Sequence, residues 1–146
     1  MKNAFVLDAS VTLSWAFEDE VSAYADRVLE SLSDMQAFVP AIWPLEVTNA
    51  LLVAQRRGRL DDLRNERFLT LLQRLPITVS VISAKTVFDE VLRMARQYQL
   101  STYDASYLQL AIQMGLPLAT QDEPLRQAMQ QCGVPIFLGE AILGRE

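Results

Sequence analysis

Four acidic residues occupy positions where carboxylate chemistry is possible: Asp8, Glu46, Asp104 and Asp122. Asp8 directly follows the apolar run AFVL, and Asp122 lies two residues after the run PLAT. Glu46 and Asp104 fall in the first turn of two predicted helices. Ligand sites in an open parallel sheet form at the carboxyl ends of the strands. We therefore expect the four carboxylates to meet at one edge of a sheet.

Clustered carboxylates in a chain without histidine favour a hard metal ion. The 146 residues include no histidine and one cysteine, which excludes Ser-His-Asp and Cys-His catalysis and the usual zinc sites. Two like charges about 4 Å apart repel by roughly 1 kcal/mol in water and roughly 4 kcal/mol at a protein-like dielectric, so the cluster needs cations. Oxygen ligands select Mg²⁺ or Mn²⁺. Such an ion supports phosphodiester hydrolysis without a protein base.

Each acid also has a purely structural explanation when it is considered alone. Asp8 could be a turn residue, and Glu46 could favour the positive end of a helix dipole. The segment STYD at 101–104 matches a capping box that ends on Asp104. Asp122 is a suitable N-cap for the helix that follows it. Independent structural roles would not place all four at the same sheet edge, so the joint pattern favours a site.

The order of predicted elements indicates an α/β fold. Short apolar strands alternate with longer amphipathic segments, and the strands are AFVL, QAFVP, PITVSVI, LPLAT and VPIF. This alternation predicts a parallel sheet between layers of helices. No repeat, low-complexity tract or Gly/Ser linker interrupts the chain, so we expect a single domain over residues 1–146.

Composition and charge limit the environment and the partners. The single cysteine suits a reducing cytosol, and no apolar run approaches the roughly 20 residues of a membrane helix. We therefore expect a cytoplasmic protein. The net charge is −5, yet residues 47–100 carry nine basic and five acidic side chains, a local charge of +4. The arginines at 56–74 are expected to form a solvated helical face or, alternatively, to contact phosphates.

Four motifs in this order resemble those of a PIN-domain ribonuclease. They are VLDASV around Asp8, PLEVTNAL around Glu46, TYDASYLQLA around Asp104 and LATQDEPL around Asp122. The chain is most similar to a VapC-type toxin of a toxin–antitoxin pair. The resemblance implies a PIN-like three-layer α/β/α sandwich with a central, mostly parallel sheet. It also implies an endoribonuclease that cleaves RNA with Mg²⁺ or Mn²⁺ held in an acidic pocket.

The resemblance further implies roles for individual residues. Asp8 and Asp104 would be the principal metal ligands, and Glu46 and Asp122 would complete the catalytic pocket. An antitoxin protein would block this pocket, and the toxin would form a homodimer.

Three polar residues near the acids are candidates for substrate binding. Ser10 and Thr120 could contact phosphate or metal-bound water, although helix capping or strand-end hydrogen bonding explains them equally well. Asn49 lies on the same helical face as Glu46 and could orient that carboxylate or contact RNA. Tyr107 is expected to be a core or interface residue.

Other functions fit the sequence less well. A haloacid-dehalogenase-like phosphatase requires a second aspartate two residues after the first, where Ser10 stands. A receiver domain requires paired acids beside the first strand and a late lysine, whereas the only lysines are Lys2 and Lys85. A catalytically silent PIN-like module that binds RNA or protein is the alternative from a different functional class.

Overall fold

A parallel sheet forms the centre of the computed structural model, which describes residues 3–20 and 22–139. Its strands are β1 (Ala4–Leu7), β2 (Gln36–Pro40), β3 (Ile77–Ser80) and β4 (Leu118–Ala119). They lie in the order β3-β2-β1-β4, and every neighbouring pair is parallel. The remaining residues of the predicted domain 1–146 lie outside the described ranges.

Helices connect and cover these strands. They are α1 (Ala9–Ser14), α2 (Ala23–Ser31), α3 (Trp43–Arg56), α4 (Asp62–Arg74), α5 (Ala84–Thr86), α6 (Leu92–Tyr98), α7 (Thr102–Met114) and α8 (Glu123–Cys132). A 3₁₀ turn at Glu18–Glu20 and a π-helical turn at Val87–Val91 complete the elements. The predicted α/β architecture with a parallel sheet between helices is confirmed. Among the helices of the described residues, none is both long and apolar enough to span a membrane.

The strand order creates a switch point beside β1. From β1 the chain builds outward through β2 to β3, and it then returns to place β4 on the opposite side of β1. All four residues of β1 are buried, as expected for a strand covered on both faces. Val6 and Leu7 pair with Leu118 and Ala119. Open α/β sheets bind ligands outside the carboxyl ends of the strands at such a switch point.

Helix α7 begins at the same edge of the sheet. Ser101 Oγ accepts a hydrogen bond from the Asp104 backbone N–H at 3.0 Å and so caps the helix, as the sequence predicts. The helix packs against β1 and β2. Its first residue, Thr102, lines the same cavity as Pro40 and Ser80, which end β2 and β3. The first turn of α7 therefore lies beside the carboxyl ends of the strands.

Two details differ from the sequence prediction. The expected fifth strand, VPIF, is wrong: only an isolated parallel bridge joins Ile136 to Leu118. Pro135 has no backbone N–H to extend the pairing with β4. Leu138 has a positive φ of 63°, which is not a strand conformation. The amphipathic stretch SAKTVFDEVLRMARQYQ at 83–99 predicts one regular helix, yet it contains the π-helical turn, although no proline or glycine marks that turn in the sequence.

Candidate active site

Asp8 lies at the end of β1 and is buried, with 4% of its surface exposed. Its backbone N–H donates to Ala119 O at 3.0 Å and so continues the pairing with β4. Its carboxylate Oδ2 accepts hydrogen bonds from Ser10 Oγ at 2.8 Å and from Thr120 Oγ1 at 2.6 Å. Burial raises the pKa of Asp8; the two hydroxyl donors oppose this effect, and the charge of Asp122 adds to it.

The loop between β4 and α8 holds the second part of the site. Thr120 Oγ1, besides donating to Asp8, accepts from the Asp122 backbone N–H at 3.0 Å. The Asp122 carboxylate accepts from the Leu125 N–H at 3.0 Å, so the N-cap role considered for it in the sequence is present. Arg126 Nε donates to Thr120 O at 2.8 Å and so restrains the backbone of the loop.

Gln121 joins this loop to α1, the helix that follows β1. Its backbone N–H donates to Ser10 Oγ at 3.1 Å, and its side-chain Nε2 donates to Ser14 Oγ at 2.8 Å. Ser10 Oγ therefore accepts from Gln121 and donates to Asp8, which defines the direction of its hydroxyl group. Helix α1 and the β4–α8 loop therefore form one hydrogen-bonded unit around the Asp8 carboxylate.

Glu46 enters the same region from the first turn of α3. Pro44, near the start of that helix, suits its first turn because proline has no N–H to leave unpaired there. Glu46 is partly buried, and its Oε1 accepts a hydrogen bond from Tyr107 OH at 2.5 Å. Burial raises the pKa of Glu46; the Tyr107 hydrogen bond opposes this effect, and the charge of Asp8 reinforces it.

Asp104 completes the group from the first turn of α7. Its pKa is raised from the ordinary value of 3.8 to about 6, first by burial and then by the charges of Asp122, Asp8 and Glu46. The charges of the other three acids therefore act on Asp104, which lies in the first turn of α7 at the same edge of the sheet.

The chemistry of these donors fits Mg²⁺ or Mn²⁺, although the side chains do not form a closed cage. Every candidate ligand is a carboxylate oxygen, the donor that these hard cations prefer. As placed, no three His, Cys, Asp or Glu side chains within 3–20 and 22–139 are grouped so that they could hold one ion. Hydrogen bonds to protein donors engage Asp8, Glu46 and Asp122. Mg²⁺ typically uses one or two carboxylates together with water and substrate phosphates, so a complete protein cage is not needed.

The polar residues expected at the site have different surroundings. Ser10 and Thr120 direct their hydroxyl hydrogens to Asp8, so each supports the carboxylate directly. Asn49 is exposed on α3, three residues after Glu46. Contacts of these three residues with substrate therefore remain a prediction.

Three residues that the sequence did not single out also belong to the site: Tyr107, Gln121 and Arg126. Tyr107 resembles any buried aromatic residue in the sequence, and its only signal is a spacing of three residues from Asp104 on one helical face. Gln121 contacts Ser10 and Ser14 of α1, more than 100 residues away in sequence, which local sequence does not encode. Arg126 contacts the carbonyl of Thr120 six residues earlier, and no motif in the sequence marks that contact.

Within the arginine-rich segment 56–74, Arg59 forms ion pairs with two acidic residues of the 3₁₀ turn. Arg59 Nη2 lies 3.0 Å from Asp19 and 3.2 Å from Glu20, and its guanidinium lies 4.3 Å above the Phe17 ring. These contacts occupy Arg59 at the 3₁₀ turn. Arg56 and Arg57, at the end of α3, are exposed.

A family model described as the PIN domain matches residues 5–129, a span that contains all four acids. The chain belongs to the PIN domain family. This PIN domain is 28% identical over 122 residues to Ribonuclease VapC3 from Pyrobaculum aerophilum. The match covers 84% of this chain and 92% of the relative. The predicted family is thereby confirmed.

Solved structures of similar proteins share the fold of this PIN domain. The crystal structure of PAE2754 from Pyrobaculum aerophilum matches with a TM-score of 0.64 and 29% identity, over 86% of this chain and 84% of the other. A toxin-antitoxin complex from Klebsiella pneumoniae matches with a TM-score of 0.58 and 19% identity, over 81% of this chain and 86% of the other. The PIN-like α/β/α sandwich predicted from the sequence is therefore confirmed.

Proposed function

We propose that this PIN domain is an endoribonuclease that depends on Mg²⁺ or Mn²⁺. The observation that carries the proposal is the buried Asp8 carboxylate at the switch point of the sheet, which accepts hydrogen bonds from Ser10 and Thr120, while Thr120 also binds the Asp122 backbone N–H. Burial and the charges of the other three acids also raise the pKa of Asp104, and clustered carboxylates of this kind favour a bound cation. Similarity to Ribonuclease VapC3 supports RNA as the substrate.

In this proposal Asp8 and Asp104 hold the ion, and Glu46 and Asp122 complete the acidic pocket. A bound divalent ion supplies an activated water and stabilises negative charge on a phosphate. The absence of histidine from the chain fits this division of labour, because no imidazole is present to act as a general base.

The protein's own contribution is to hold the carboxylates in place before substrate arrives. Two hydroxyl groups hold Asp8, and both hydrogen bonds favour its ionised form. The β4–α8 loop carries Asp122 and is fixed to α1 through Gln121. Preorganised charge of this kind is worth more in a buried site than in water, since the groups need no rearrangement during the reaction.

A metal add-back assay tests the proposed activity. Purified protein is treated with EDTA, and cleavage of a mixed RNA pool is followed with no metal, Mg²⁺, Mn²⁺ or Ca²⁺. We expect no cleavage in EDTA and recovery with Mg²⁺ or Mn²⁺. Full cleavage in excess EDTA would refute metal dependence, and no cleavage under any condition would favour the catalytically silent binding module.

We also propose that the chain acts as the toxin of a toxin–antitoxin pair and forms a homodimer. Similarity to Ribonuclease VapC3 and the fold shared with the Klebsiella complex support this role. Exposed large apolar residues on α3 and α4 offer surfaces for a protein partner: Leu45, Leu52, Leu63 and Leu71. Expression in a bacterial host should arrest growth, and co-expression of a cognate antitoxin should restore it. Normal growth under strong expression of active enzyme would contradict the toxin role.

A further inference from the structure

The side chain of Glu46 depends on one buried residue for its position. Glutamate has three rotatable side-chain bonds, so its location on α3 does not by itself determine where the carboxylate lies. Tyr107 OH donates to Glu46 Oε1 at 2.5 Å, a distance typical of a hydroxyl bonded to a charged carboxylate. The bond joins α7 to the first turn of α3.

The backbone around Glu46 is already fixed relative to Asp8. Trp43 begins α3, and its Nε1 donates to Thr12 Oγ1 at 3.1 Å. Thr12 Oγ1 in turn lies 3.4 Å from the backbone carbonyl of Asp8. The hydrogen bond from Tyr107 then restricts the side-chain rotamer of Glu46.

We propose, on the basis of the proposed function, that Tyr107 is a positioning residue for the catalytic pocket. Its hydroxyl group holds Oε1 of Glu46 and so directs the other carboxylate oxygen toward the space shared with Asp8 and Asp104. Tyr107 acts through Glu46 and needs no contact with RNA.

A role in packing alone does not explain the hydroxyl group. Tyr107 has 0% of its surface exposed and is the largest of the fully buried side chains. Its ring would fill the same space as phenylalanine, whereas burying a hydroxyl group is unfavourable without a partner. The partner here is an acid of the site, so the hydroxyl adds an interaction that packing does not require.

The decisive comparison is Tyr107→Phe against Tyr103→Phe. Both substitutions remove one phenol hydroxyl from α7, but Tyr103 is 58% exposed while Tyr107 is buried. Isothermal titration calorimetry measures the Mn²⁺ dissociation constant of each protein without RNA, and thermal melts in EDTA verify that each is folded. We expect Tyr107→Phe to weaken Mn²⁺ binding by about 10- to 100-fold, as is usual when the partner of a ligating group is lost. Tyr103→Phe should bind Mn²⁺ like the wild type.

A double-mutant cycle with Glu46→Gln tests whether Tyr107 acts through Glu46. If it does, Tyr107→Phe should cause no further loss of Mn²⁺ affinity in the Glu46→Gln background. Equal affinity of Tyr107→Phe and wild type would overturn the positioning role and leave the metal site standing. An undiminished loss in the Glu46→Gln background would also overturn it. Absence of Mn²⁺ binding by the wild type would overturn the proposed function together with this role.

Discussion

Thr120 Oγ1 lies 2.6 Å from Asp8 Oδ2 and donates a hydrogen bond across 112 positions of sequence. The contact exists because β1 and β4 are neighbours in the sheet, so the residues that follow them meet at its edge. Thr120 is fully buried and also accepts from the Asp122 backbone N–H. One hydroxyl group therefore connects two of the four acids.

Thr120→Val should damage the site while retaining the shape of the side chain. The substitution leaves the Asp122 N–H without its partner and removes a donor that favours ionised Asp8. We expect the free energy of unfolding to fall by about 1–3 kcal/mol. We expect Mn²⁺ affinity to fall by about 10- to 100-fold. Thr78→Val, at an exposed position of β3, is the control for calorimetry and chemical denaturation, and equal behaviour of the two variants would exclude this role of Thr120.

Asp104→Asn should stabilise the metal-free protein. The substitution removes one of four mutually repelling charges, so the melting temperature in EDTA should rise. The helix cap survives, since Ser101 bonds to the backbone of residue 104 and not to its side chain. Wild type should gain about 2.7 kcal/mol with Mn²⁺ at 100 times its dissociation constant, and the variant should gain less. A lower melting temperature in EDTA, with no response of either protein to Mn²⁺, would identify Asp104 as a structural residue only.

The metal-free protein should be more stable near pH 5 than near pH 7.5. Between 3.8 and about 6, folded Asp104 retains a proton that the unfolded chain has released. The folded state then binds more protons than the unfolded state, so the free energy of unfolding falls as pH rises through this window. The raised pKa values of Asp8 and Glu46 act with the same sign. Urea denaturation in EDTA at a series of pH values measures how the free energy of unfolding depends on pH. This dependence should be weaker in Asp104→Asn than in the wild type. An identical dependence in the variant would show that Asp104 is not the group responsible.

Arg56 and Arg57 should contribute to RNA binding more than Arg59. Arg59 is engaged by Asp19 and Glu20, whereas the other two arginines are exposed at the end of α3. Each phosphate contact contributes about 0.7 to the dependence of log K on log salt for a single strand. Replacing Arg56 and Arg57 by Gln should therefore reduce that slope in a variant without cleavage activity, while Arg59→Gln should leave it unchanged. An unchanged slope in the double variant would show that Arg56 and Arg57 are solvated and do not contact phosphate.

The fold and the four acids could be predicted from the sequence because their signals are local. AFVL and QAFVP are apolar runs that end at the sheet edge, and Asp8 directly follows the first of them. The cap of α7 at Ser101 is likewise encoded within four residues. Parallel strand order then brings the ends of β1 and β4 together, so local signals were enough to expect Asp8 and the loop that carries Asp122 at one edge.

The partners of the acids could not be predicted in this way. Tyr107 has the sequence signature of a core aromatic, and only the approach of α7 to α3 reveals that its hydroxyl meets Glu46. From the sequence, a substrate contact and strand-end hydrogen bonding fit Ser10 and Thr120 equally well, because a hydroxyl group can turn in several directions. The structure defines that direction through Gln121 and the register of β4. The short bridge at Ile136 shows the same limit, because VPIF has strand composition but no continuous partner.

The central claim is that the acidic pocket itself cleaves RNA, and Asp8→Asn compared with Asp61→Asn tests it most directly. Asp61 caps α4 by accepting from the Arg64 N–H at 2.8 Å, as Asp122 caps α8, but it is not one of the four acids. Asparagine is also a good N-cap, so Asp61→Asn should fold and cleave normally. The measurement is the initial rate of RNA cleavage in Mn²⁺ for wild type and both variants, each verified as folded by its melting curve. We expect Asp8→Asn to lose cleavage and Asp61→Asn to match wild type; a folded Asp8→Asn that cleaves at the wild-type rate would contradict the account.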